Sequence, residues 1–166
     1  MINWYCIYTK PGQEGAVSQK LGELPGMELF NPQFMRKKRV RSTYREVVEE
    51  LFPCYLFLRF DRLEYFHLVK YTRGVRRFVG DRAGSPFAVE QELIEYIRKR
   101  LEDGAIYLDS PTLKKGETVR LMDGPFAGLS GIFLEEMKAS ERVLVLLNAI
   151  EYQARIQVPR TSVARG

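Results

Sequence analysis

A chain of 166 residues, 45% hydrophobic and 28% charged, has the composition of an ordinary globular protein able to bury a core, with room for one medium domain or two small ones. One histidine and two cysteines, Cys6 and Cys54, are too few for a histidine-based triad, a disulfide framework or a zinc site, and no apolar run reaches the roughly 20 residues that span a bilayer. The formal charge of +5 favours an anionic partner and is unevenly placed: residues 1–100 carry 18 Lys and Arg against 12 Asp and Glu, and residues 101–166 carry 8 against 9.

In chain order, NWYCIYTK (3–10) is rich in β-formers and stops at Pro11-Gly12, which predicts a strand. Residues 13–24 carry Ala16, Val17, Leu21 and Leu24 at helical spacing, and Leu-Pro-Gly ends the helix. Residues 27–52 read as two strands flanking a long hairpin tip, basic on its first side. ELFPCYLFLRFD (50–61) is a strand, 62–71 a short helix, GVRRFVG (74–80) a strand, and 89–101 a helix with Leu93, Ile94, Ile97 and Leu101 on one stripe. This alternation predicts an α+β domain over residues 1–101, an antiparallel sheet with flanking helices. A linker is expected at 102–112, marked by glycine and proline, and after it short strands separated by turn signals predict a small all-β barrel over 113–166.

Catalytic chemistry finds little to work with. His67 stands alone between Phe66 and Leu68 in a helix. Cys54 has no nearby histidine, and its apolar neighbours raise a thiol pKa, so it reads as packing. GPFAGLSG (124–131) has the glycines of a phosphate loop but not its Lys-Ser/Thr, and it lies between predicted strands. Glu49/Glu50 and Glu135/Glu136 adjoin in sequence, so in extended chain they point to opposite faces. No enzyme, cofactor or metal is expected. The start of the chain shows no basic segment followed by an apolar one, so a cytoplasmic monomer without membrane contact is expected.

Three features carry information instead. Alternation puts Trp4, Cys6 and Tyr8 on one face of the first strand against Tyr5 and Ile7, and Tyr55 and Phe57 on one face of a later strand against Leu56, Leu58 and Phe60. Such an aromatic face is either covered by helices or left as an apolar patch for a protein partner. RKKRVRSTYR (36–45) places Arg36, Lys37, Lys38, Arg39 and Arg41 with Tyr44 on the hairpin, a pattern suited to phosphate. In YTRGVRR (71–77), the glycine after Arg73 would let backbone approach a ligand closely.

WYCIYTKPGQE (4–14), LFPCYLFLRFD (51–61) and TRGVRRFV (72–79) resemble the N-terminal domain of the NusG family of transcription elongation factors, and KKGETVRLMDGPFAGLSGIFLEE (114–136) resembles the KOW motif of its C-terminal barrel. LFPCYLFLRFD, TRGV and VLLN (145–148) resemble especially the specialised, operon-specific RfaH branch. The resemblance implies a factor that suppresses RNA polymerase pausing, with Tyr8, Tyr55 and Phe57 on the polymerase clamp helices. Pro53 would begin the strand or sit at a bulge. Tyr65, Phe66 and His67 fall where that branch touches the polymerase gate loop. Lys10, Thr72, Arg73, Gly74 and Val75 match a patch that reads the non-template DNA strand, with Lys20 at a histidine position and Glu23 at an arginine position. Val145, Leu147, Asn148 and Ile150 match the strand that contacts a small-subunit ribosomal protein or the Rho factor. Glu49 and Arg142 match a pair bridging the two domains in a closed form. There the C-terminal domain is an α-helical hairpin, and 132–158 contains neither glycine nor proline. Gly124, Gly128 and Gly131 suit barrel turns, so the barrel is the expected state and the helical hairpin its alternative. The rival readings are a general NusG-type factor promoting Rho-dependent termination and an RNA- or ribosome-associated KOW module.

Overall fold

Alternating side chains on two long central strands set the architecture. The computed structural model describes residues 1–102 and 126–157. Strand β1 (Ile2–Thr9) pairs antiparallel with β5 (Tyr55–Asp61), bringing Cys6 opposite Phe57 and Tyr8 opposite Tyr55. On the far side of β5 lies β2 (Glu28–Phe30), and the other edge of β1 is shared by β6 (Val75–Phe78) and β7 (Ala88–Val89), all antiparallel. β3 (Gln33–Val40) and β4 (Thr43–Glu50) form a separate two-stranded hairpin.

One face of the sheet carries Tyr5, Ile7, Leu56, Leu58 and Phe60 and packs on α1 (Glu14–Gly22) and α2 (Arg62–Lys70) through Val17, Leu21, Tyr65 and Val69. The Asp61 carboxylate caps α2 by accepting from the Leu63 N–H at 2.9 Å. The opposite face carries Trp4, Cys6, Tyr55 and Phe57 and packs on α3 (Gln91–Glu102) through Leu93, Ile94 and Ile97, the stripe expected from the sequence.

This second face has a further cover. Where the sequence predicts barrel strands, the chain forms two helices, α4 (Ala127–Leu134) and α5 (Ala139–Gln157). In α5, Arg142, Leu146, Ala149, Ile150 and Gln153 are buried, a single stripe of helical period. The run RVLVLLNAI satisfies both a helical and an alternating pattern, so the neighbouring surface decides, and the apolar sheet face supplies it. Gly128 and Gly131, expected at turns, lie inside α4. A side chain at Gly128 would meet Val145 Cγ1 at 3.2 Å, so its bareness lets α4 approach α5. Gly124, the expected linker beyond Glu102, and residues 113–125 and 158–166 lie outside the described residues.

Pro53 is also placed differently from expectation. It lies in a turn before β5, closed by the Tyr55 N–H donating to the Phe52 carbonyl at 3.0 Å, with Cys54 at φ 71°. The proline therefore never has to supply a ladder hydrogen bond.

Candidate functional site

Tyr8, Tyr55 and Phe57 form one continuous aromatic surface. The rings of Tyr8 and Tyr55 lie 5.0 Å apart, Phe30 stacks on Phe57 at 5.9 Å, and Phe52 meets Phe57 edge-on. Arg77 lies over the Tyr8 ring at 5.4 Å. Phe57 is completely buried and Tyr55 nearly so, because this surface joins one core with Leu129, Ile132, Leu146 and Ile150 of α4 and α5. Each of those four fully buried aliphatics contributes about 1.5–3 kcal/mol by area, an upper bound. At one edge of this packing a cleft of about 280 Å³ remains, where Tyr8, Pro53, Cys54 and Tyr55 face Ala139, Ser140 and Val143.

Polar contacts fix the position of the helical pair. Buried Arg142 donates from Nε to the Leu51 carbonyl at 2.8 Å, from one terminal nitrogen to the Met137 carbonyl at 2.7 Å, and from the other to the Glu50 carbonyl at 3.4 Å. Its guanidinium lies 5.3 Å from the Phe34 ring. Burial lowers its pKa, and the nearby Glu49 charge opposes that. Glu49 itself pairs with Arg36 at 3.8 Å, and Arg36 also pairs with Glu136 between α4 and α5. The expected Glu49–Arg142 bridge is thus replaced by Arg142 seated on backbone carbonyls. Carbonyls at the end of β4 point at the guanidinium, and Glu49 is held by a cation on its own hairpin. Tyr96 of α3 hydrogen-bonds Ser130 of α4 at 2.8 Å, and Gln153 accepts from the Glu90 N–H at 3.4 Å.

At the rim, the Glu14 carboxylate accepts from the Cys54 N–H at 2.9 Å, and Asn31 donates to Glu50 at 3.4 Å. Burial raises the Cys54 thiol pKa, and Glu14 raises it further. The thiol is thereby held protonated, as packing requires. Burial raises the Glu50 pKa; Asn31 opposes this and the Glu14 charge adds to it. Among the described residues no three His, Cys, Asp or Glu side chains come together as metal ligands, and no helix is long and apolar enough to cross a membrane.

The other sequence candidates scatter. Tyr65 points into the opposite core and its hydroxyl donates to the Pro25 carbonyl at 2.6 Å; Phe66 stacks on Phe78 at 5.1 Å; His67 is exposed. All three lie across the sheet from Tyr8, Tyr55 and Phe57. Lys10 and Arg73 are exposed and joined through the turn between them, the Lys10 N–H donating to the Gly74 carbonyl at 2.8 Å. Thr72 is buried with its hydroxyl on the Leu68 carbonyl at 2.7 Å, and Val75 is half-buried. Gly74 is buried as well. It sits at φ 98°, and a side chain there would come within 2.8 Å of Val17 Cγ2, so packing on α1 uses the bareness expected to serve a ligand. Lys20 is exposed on α1. On the hairpin, Lys37, Lys38, Arg39 and Arg41 are exposed while Arg36 is occupied by its two carboxylates. Val145, Leu147, Asn148 and Ile150, expected on one strand, lie around α5, with Ile150 buried and Asn148 exposed.

Sequence reasoning missed the Arg36–Glu136 link, for which one sequence holds no signal. It also passed over Arg98, which lies over both Trp4 at 5.2 Å and Phe30 at 4.8 Å while pairing with Glu28 at 2.8 Å.

Comparison with known proteins gives a consistent result. The profile of the family described as "Transcription termination factor nusG" matches residues 2–98. "Transcription termination/antitermination protein NusG" of Pseudomonas aeruginosa is 30% identical over 152 residues, covering 86% of this chain and 86% of that protein. The protein of the same name from Vibrio cholerae is 32% identical over 138 residues, 77% of this chain and 76% of the other. That from Yersinia pestis is 28% identical over 173 residues, 98% and 96% respectively.

Proposed function

The chain belongs to the NusG family, whose members are transcription factors and not enzymes, and on that premise we propose that it is an elongation and antitermination factor that binds bacterial RNA polymerase through Tyr8, Tyr55 and Phe57. The observation that carries this reading is the aromatic face itself, a surface of three rings and Phe30 closed over by α4 and α5 rather than by α3 alone. A factor built this way is masked. Polymerase and the helical pair compete for one surface, and polymerase gains access only by its differential affinity for the open form.

Released from the face, residues 113–166 would take the KOW barrel form and recruit a second machine at raised local concentration through Val145, Leu147, Asn148 and Ile150. The outer side of α5 supports this. Leu144, Tyr152 and Ile156 are 60%, 49% and 62% exposed, apolar side chains that the helix leaves unburied on either side of the exposed Asn148. Such unburied apolar residues fit a sequence that serves a second fold. A masked polymerase site in turn fits an operon-specific, RfaH-like factor, with Lys10, Lys20, Arg73 and the exposed hairpin cations directed to DNA and His67 toward the polymerase gate loop. A ribosomal protein of the small subunit is then the recruited partner. The second reading, a general factor that engages Rho, is favoured by the name of the relatives, which covers termination as well as antitermination.

The test is a titration into a stalled bacterial elongation complex with pause lifetime as readout. Shortened pauses with the wild type and none with Tyr8→Ala support the reading. Pause shortening of equal size by the two proteins would remove the aromatic face from the account.

A further inference from the structure

The turn that seats α5 is tied to two acids. Residues 50–55 link β4 to β5, and the Arg142 guanidinium is bound to the carbonyls of Glu50 and Leu51 at the start of that link. At its other end stands Glu14, the first residue of α1 and only 7% exposed, whose carboxylate accepts from the Cys54 N–H at 2.9 Å. The Glu50 carboxyl hydrogen-bonds that of Glu14 and accepts from Asn31 Nδ2 at 3.4 Å. Two ionised carboxyls offer each other only acceptors, so the bond between them exists only while one holds a proton.

Asn31 makes the same demand. Its Oδ1 is buried and has no partner among the described residues. With the amide turned over, Oδ1 would meet Glu50, and only a protonated carboxyl could donate to it. No cation neutralises the pair instead, since none of the ion pairs among the described residues includes Glu14 or Glu50. Arg76 of β6 acts on the Cys54 thiol, which also feels both acids. Arg142 of α5 meets the main chain of Glu50, and the acid that its charge meets is Glu49. Burial and the Glu14 charge therefore hold the proton on Glu50, against the pull of Asn31.

We propose that Glu14 and Glu50 share one proton as a latch beside the seat of Arg142, and that its loss as pH rises drives the two carboxylates apart, shifts the 50–55 turn and frees α5 from the aromatic face. This rests on the masking proposed above and gives it a regulator. Docking and protonation are coupled through water. Ala139, Ser140 and Val143 of α5 face Pro53 and Cys54 across one cleft, so undocking opens the turn to solvent and relieves the burial that keeps the proton in place. A carboxyl that holds its proton more tightly in the docked form strengthens docking below its open-form pKa. That contribution is lost as pH rises through the docked-form value, which lies above the ordinary carboxylate range.

The experiment follows amide exchange of α5 in the full chain from about pH 5 to about pH 8, corrected for the intrinsic exchange rate, with β1 and β5 amides as the internal control. Wild-type α5 protection should fall with rising pH by up to about tenfold per unit, the limit for one linked proton, while β1 and β5 keep theirs. The carboxyl carbon resonance of Glu50 should titrate over the same range. Glu50→Gln donates to Glu14 from its amide without any proton to lose, so its α5 protection should stay flat. Glu14→Gln accepts from Cys54 and donates to Glu50 at once, and should flatten the profile as well. A wild-type profile parallel to those of both variants overturns the latch and leaves the masking standing. Loss of protection shared equally by β1 and β5 is unfolding of the whole domain and overturns the latch too. Absence of α5 protection in all three proteins at every pH overturns the masking and the latch together.

Discussion

Replacing Arg142 with methionine isolates what holds α5 on the sheet. Methionine keeps the apolar volume of the arginine stem and removes the guanidinium. Of the three hydrogen bonds, the one to Met137 is internal to the α4–α5 segment and survives undocking, so only those to Leu51 and Glu50 count toward docking. A charged donor on a well-placed carbonyl is worth about 1.5–3 kcal/mol, and the 3.4 Å contact to Glu50 adds little. The stack over Phe34 contributes about 0.5–2 kcal/mol. Against these stands the cost of drying a guanidinium, several kcal/mol before compensation, whose mark is the lowered pKa of Arg142. The favourable terms sum to about 2–5 kcal/mol and drying the guanidinium takes back about 3, so docking gains at most about 2 kcal/mol, or up to roughly 30-fold in the docking equilibrium. Hydrogen exchange under native conditions should show α5 amides losing up to about 30-fold of their protection, with the β1 and β5 amides unchanged. Protection of α5 altered by less than about twofold would mean that apolar packing alone seats the helices, and the assigned role of Arg142 would be refuted.

Other predictions follow from single contacts. Burial raises the Glu50 pKa, so its contribution to stability is fully present below the unfolded-state pKa and is lost as pH rises through the folded value. Glu50→Gln should therefore melt higher than wild type at pH 7, with the gap closing as pH falls below the ordinary carboxylate range; a lower melting point at pH 7 would contradict this. Nothing lies within 4 Å of a side chain added at Gly131, so Gly131→Ala should stabilise α4 by about 0.5–1 kcal/mol, read as slower exchange of its amides. At Gly80 an added Cβ would fall 2.0 Å from the Ser85 carbonyl oxygen, and Gly80→Ala should lower the melting temperature measurably; an unchanged value would show that the 81–85 loop yields.

The aromatic alternation of β1 and β5 was legible because period-two patterning leaves no second solution for Trp4, Cys6 and Tyr8 against Tyr5 and Ile7. The α3 stripe was equally plain. Residues 126–157 were not, because local preference there is balanced. Val143, Val145 and Leu147 alternate as a strand would, and Arg142, Leu146, Ala149 and Ile150 repeat as a helix does. The apolar sheet face built by β1 and β5, far upstream in the chain, breaks the tie. The same limit hid the seat of Arg142. Its partners are main-chain carbonyls of Leu51 and Glu50, which have no signature in the side-chain sequence. Cys54 at φ 71° was illegible for a related reason, since its conformation is imposed by the Phe52–Tyr55 turn and the Glu14 carboxylate rather than by its own side chain.

The proposed masking makes one quantitative demand on polymerase binding. Apparent affinity falls by the fraction of molecules whose aromatic face is free, so a change that opens the face must tighten binding by the same factor. The decisive measurement is the dissociation constant of a stalled bacterial elongation complex for wild type and for Arg142→Met. The account predicts tighter binding by the variant, up to about 30-fold, with Tyr8→Ala cancelling the gain. Equal affinity of the two proteins, in a preparation where α5 of the variant has lost its protection, would show that the helices do not cover the polymerase site.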